Sequence, residues 1–92
     1  MELSAVETWA RVLEEARQKL PEATMRTWLE PTEPTALEDG RLVVSAPDQF
    51  SVEWNESKHA GLLSRLASAI VGTPIDIVFQ VQAERTEPAR GI

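Results

Sequence analysis

Apolar residues recur at helical spacing from the start of the chain: Val6, Trp9, Val12, Leu13, Ala16 and Leu20. At ~100° per residue they gather into an arc of roughly 160°, wider than the ~100° stripe a single contact needs. Arg11, Glu14, Glu15 and Gln18 fall opposite. Ser4-Ala5-Val6-Glu7 in front of the arc reads as a capping box, with the serine hydroxyl accepting from the Glu7 N–H and the carboxylate reaching back. The pattern predicts a helix to about Leu20, where Pro21 pushes its predecessor out of the helical region. Pro21 suits the first turn of a second, short helix. Glu22 lies near the positive end of that helix, Met25, Trp28 and Leu29 form its apolar face, and Pro31 stops it.

Shorter patterns follow. Pro31 to Pro34 predict a rigid connection, and Thr35–Glu38 and Arg41–Ser45 flank Asp39-Gly40. Both residues of that pair tolerate positive φ, which makes them a hairpin signal. Ala46-Pro47-Asp48 breaks the second strand and caps another helix, with Phe50 and Trp54 four apart on its expected inner face. From near Lys58 to Val71, Leu62, Leu63, Leu66, Ala67 and Ile70 make one stripe, with Gly61 read as a joint. Gly72 and Pro74 end it. Ile75, Ile77, Phe79 and Val81 then alternate with other residues, the mark of a half-buried strand. Residues 84–92 have no periodicity and read as the start of a flexible linker. The order helix, helix, strand, strand, helix (one or two), strand predicts an α+β domain over residues 1–83, with helices on one face of a three-stranded sheet.

Composition narrows the function. At 92 residues, one core forms and a second does not. Cysteine is absent, so there is no disulfide framework and no thiolate chemistry. No apolar run reaches the ~18–20 residues that span a bilayer, and Met1-Glu2-Leu3-Ser4 lacks a signal-peptide pattern. A cytoplasmic location away from membranes is expected. The net charge of −6 opposes phosphate binding, which normally needs a basic face.

Catalytic patterns are missing. The glycines are isolated and neither lysine follows one, so no phosphate loop is present. His59 is the only histidine and reads as a surface residue. Glu14 with Glu15, and Glu53 with Glu56, read as solvated helix faces rather than acid–base pairs. No catalytic residue, cofactor or metal is expected, and the chain does not read as an enzyme.

Aromatic residues carry more. Trp28 and Trp54 are expected in the core. Trp9 lies near the middle of the wide arc and leaves two readings open: a core tryptophan, or a partly exposed anchor for another protein.

Four stretches carry a resemblance: Trp9 with Val12-Leu13; Leu20 to Pro31, with Pro21 and Trp28; Gly40 to Pro47; and Asp48 to Trp54, with Phe50. Their order and spacing resemble the amino-terminal domain (domain I) of the bacterial replication initiators of the DnaA family, over residues about 5–83. The resemblance implies a KH-like α+β fold. It also implies a contact module that self-associates weakly and recruits the replicative helicase and initiation regulators at the origin. ATP would belong to an AAA+ portion outside this chain. By position, Trp9 matches the self-association tryptophan, with Thr8 and Val12 beside it. Phe50 matches the aromatic of the helicase contact, with Asp48 nearby. The acidic residue that the family uses there falls on Thr24, and Glu22 is its candidate substitute. Two alternatives remain: a weak single-stranded nucleic-acid binder, whose clamp turn would be Leu20–Ala23 without a glycine, or the same domain acting as a stand-alone regulator.

Overall fold

The computed structural model describes residues 4–82, so the proposed linker at 84–92 lies outside the described residues. Helix α1 (Ala5–Arg17) starts with both halves of the capping box: the Glu7 N–H donates to Ser4 Oγ at 3.1 Å and the Ser4 N–H to Glu7 Oε1 at 3.3 Å. It ends before the predicted Leu20 because its last turn tightens, with the Gln18 and Lys19 amides bonding to Glu15 and Ala16 carbonyls.

Pro21 precedes α2 (Glu22–Thr24), which runs directly into a π-turn (Met25–Leu29) closed by Glu30 N–H to Met25 O at 2.8 Å. A π-turn holds more residues than an α-turn. Met25 and Leu29, four apart, therefore share the buried face and Trp28 rotates off it.

Strand β1 (Glu33–Glu38) begins inside the segment expected to be a rigid connection. Pro34 is tolerated there because β1 is an edge strand, with an irregularity between Pro34 and Ala36. Asp39 (φ 52°) and Gly40 (φ 73°) make the predicted turn into β2 (Arg41–Ala46). A Cβ on Gly40 would stand 3.3 Å from the Pro74 carbonyl oxygen, a second reason for glycine.

Asp48 caps α3 (Gln49–Lys58) by accepting from the Ser51 N–H at 2.8 Å. The break before α4 (Ala60–Val71) falls at His59, not at the predicted Gly61, which sits within α4. His59 is buried rather than on the surface, its Nδ1 lying 2.8 Å from Asn55 Oδ1. The Asn55 amide donates to the Trp28 carbonyl at 3.0 Å, so Oδ1 is the acceptor and Nδ1 the donor. Gly72, at φ 95°, terminates α4.

Strand β3 (Asp76–Val81) completes a mixed sheet in the order β1-β2-β3, with β1 antiparallel and β3 parallel to central β2. The core joins Trp9, Val12 and Ala16 of α1 to Met25, Leu29, Leu63 and Ala67, over Leu42, Val44, Ile77 and Phe79 of the sheet. The α+β class and the element order agree with the sequence pattern.

Candidate protein-docking surface

Trp9 is corrected to a core residue. It is 2% exposed, meets Phe79 edge-on at a centroid distance of 6.2 Å, and donates its indole N–H to Thr32 Oγ1 at 3.1 Å. That hydrogen bond removes the usual reason for a tryptophan to keep its polar edge in water. Thr8 and Val12 are also fully buried, so the expected self-association trio has no surface to offer. The middle of the apolar arc turns inward and its edge remains outside. Val6 is 64% exposed, and Ala10 and Leu13 follow it at helical spacing, exposed and half-buried respectively. Beside this edge a shallow groove runs between Ala10, Arg11, Glu14 and Glu15 of α1 and Ile70 of α4.

The larger feature is an aromatic platform on the other helices. Trp28 and Trp54, both expected in the core, are half-buried and stacked, with centroids 4.9 Å apart and planes 15° from parallel. Phe50 stands edge-on to Trp28 at 5.5 Å and is 62% exposed. The reason lies in α3 itself. Val52, Ser51 and Asn55 take the inward side, and Val52 lies roughly 200° around the helix from Phe50 at ~100° per residue. One apolar set had to face out. The small residues pack inward and the bulky aromatic pair, four apart, is left on the surface.

Three contacts fix the platform. The Asn55 amide bonds the Trp28 carbonyl and ties α3 to the π-turn. Asp48 anchors the start of α3, its carboxylate engaged as the cap. Lys58 places its ammonium 5.5 Å from the Trp54 ring centroid, a cation–π contact. Glu22 and Thr24 lie in the turn that leads to Trp28; Glu22 is exposed and pairs with Arg26 at 3.2 Å, while Thr24 is half-buried. Phe50, Asp48, Glu22 and Thr24 thus belong to two adjoining elements, whereas Thr8, Trp9 and Val12 lie in the core. The sequence pattern did not single out Val6 or place Trp28 and Trp54 outside. The one signal for Trp54 was two apolar sets on opposite sides of α3, and none marked Trp28, which the π-turn turns outward.

No group of three or more histidine, aspartate or glutamate side chains among the described residues could hold a metal ion. No helix among them is long and apolar enough to cross a membrane. The surface offers shape, apolar area and a rim of charge.

Comparison with known proteins agrees over most of the chain. A family model described as the DnaA N-terminal domain matches residues 6–69. The chromosomal replication initiator protein DnaA of Bacteroides fragilis (strain YCH46) is 34% identical over 88 residues, 96% of this chain and 18% of that protein. Its counterpart in Bacteroides thetaiotaomicron is 33% identical over 86 residues, covering 94% of this chain and 18% of that protein. That of Gloeobacter violaceus is 24% identical over 84 residues, covering 91% and 19% respectively. The chain therefore spans less than a fifth of the length of these relatives, and the matching family model is that of their N-terminal domain, not of an ATPase. With a family model matched from the first turn of α1 to near the end of α4, the chain belongs to the DnaA N-terminal domain family.

Proposed function

We propose that this domain is a docking module of a chromosomal replication initiator. In this reading the platform of Trp28, Phe50 and Trp54 receives the replicative helicase and initiation regulators. The observation that carries it is Phe50, a phenylalanine 62% exposed beside two stacked indoles, edge-on to Trp28 and tilted against Trp54. Aromatic side chains gathered at a surface are favoured anchors for another protein. Glu22, Arg26 and Lys58 supply charge on the elements that form the platform, so a partner with an apolar ridge flanked by polar groups fits it.

Titration calorimetry with the cognate helicase, comparing wild type with Phe50→Ala, tests this. A loss of at least about tenfold in affinity, roughly 1.4 kcal/mol, is expected with the fold intact. Equal affinity would remove the platform from the contact.

Weak self-association through α1 is the second part of the proposal, favoured by the exposure of Val6 and now moved to the outer edge of Val6, Ala10 and Leu13. Sedimentation of Val6→Glu checks it: a self-association constant unchanged from wild type would exclude that edge.

A further inference from the structure

Backbone amides along β3 alternate in direction. Those of Asp76, Val78 and Gln80 face β2, as the Asp76 N–H to Gly40 O bond of 2.9 Å illustrates. Those of Ile75, Ile77 and Phe79 face the free edge of the sheet. Each of these outward amides meets a helix side chain. The Ile75 N–H donates to Ser68 Oγ at 2.8 Å, the Ile77 N–H to Ser64 Oγ at 3.1 Å, and the Phe79 N–H to Glu56 Oε2 at 3.4 Å. Ser64 and Ser68 are one α4 turn apart, and the Ser68 hydroxyl donates in turn to the Ser64 carbonyl at 2.8 Å. The acceptors descend the helices in step with the donors along the strand.

An open edge strand is a template for pairing with another chain. This one reads Asp76-Ile-Val-Phe-Gln-Val81, rich in β-branched and aromatic residues, and among the described residues β3 has no strand neighbour on that side. We infer that Ser64 and Ser68, with Glu56 as an outer rung, act as a side-chain strand that closes the β3 edge against pairing with β3 of a second copy. The inference stands apart from the docking platform and from the α1 edge. It assigns to two helix serines a task that helix formation itself does not require.

The test is hydrogen exchange and sedimentation on Ser64→Ala/Ser68→Ala, made in both the wild-type and the Val6→Glu backgrounds so that the readout does not depend on the α1 edge. Expected are at least tenfold faster exchange at the Ile75 and Ile77 amides, unchanged exchange at Leu42 and Val44 in β2, and a new concentration-dependent dimer. Ser64→Thr/Ser68→Thr keeps both hydroxyls and should behave as the parent. Should the double alanine variant fail to fold, Ser64→Ala alone is read the same way at Ile77. Unchanged exchange at these amides, an opened edge that stays monomeric at millimolar concentration, or equal opening in the threonine variant would each overturn the inference.

Discussion

Replacing Trp9 with alanine separates a core role from a contact role. The indole is 2% exposed, packs against Phe79 and bonds Thr32, so its removal leaves a cavity between α1 and the sheet. Truncating a buried tryptophan to alanine costs about 3–5 kcal/mol. For 92 residues the whole stability is of order 5–14 kcal/mol, so this one change removes a large fraction of it. At about 4–8 °C per kcal/mol for a domain of this size, the melting temperature should fall by about 12–40 °C. Phe50→Ala is the paired control. Its side chain is 62% exposed and recovers only a minor share of the ~1.5–3 kcal/mol of full burial, so the cost should stay below about 1 kcal/mol. Urea titrations of both variants followed by circular dichroism give the two values. A Trp9→Ala loss under about 1 kcal/mol, together with a shifted monomer–dimer balance, would refute the core assignment and return Trp9 to the surface. The same numbers warn against reading weakened self-association of Trp9→Ala as loss of a contact, since partial unfolding produces it too.

Thr8 Oγ1 is buried with no hydrogen-bond partner among the described residues, and Thr8→Val should raise stability by about 1 kcal/mol in a thermal melt. Burial holds the His59 imidazole below its usual pKa of 6.5, so the unfolded chain binds the proton first as pH falls. Stability from this group is complete above pH 6.5 and declines below it, and urea midpoints from pH 8 to 5 should show that slope flattened in His59→Gln. Asp48→Ala removes the α3 cap and should cost about 0.5–2 kcal/mol by urea titration. Because α3 also carries Phe50 and Trp54, exchange of its first-turn amides should quicken in the same variant.

The periodicity of α1, the Asp39-Gly40 turn, the Gly72 stop and the alternation of β3 were legible because each rests on local geometry that neighbouring residues dictate. A capping box closes within three residues, and a positive φ is a property of the turn itself. The element order and the α+β class followed from these signals, whereas the family resemblance rested on the residues of four stretches, Trp9 to Leu13, Leu20 to Pro31, Gly40 to Pro47 and Asp48 to Trp54. Less was legible where two elements compete for one surface. The arc on α1 is wider than the sheet can cover, and its sequence does not say that Trp9 goes in and Val6 stays out. Phe50 and Trp54 share one side of α3 and Val52 the other, and helical spacing treats the two sides alike.

The chain by itself determined which segments become helix or strand and where they turn. Only the packed fold decided which apolar residues are core and which remain outside. The π-turn rotated Trp28 out, Thr32 supplied the bond that let Trp9 be sealed, and the serines of α4 met a strand edge seven and thirteen residues downstream. Burial is a property of the assembled layers. On α3 the side that fills the space over the sheet, Val52 with Ser51 and Asn55, goes in, and the more hydrophobic Phe50 stays out, because close packing rather than hydrophobicity alone selects the buried face.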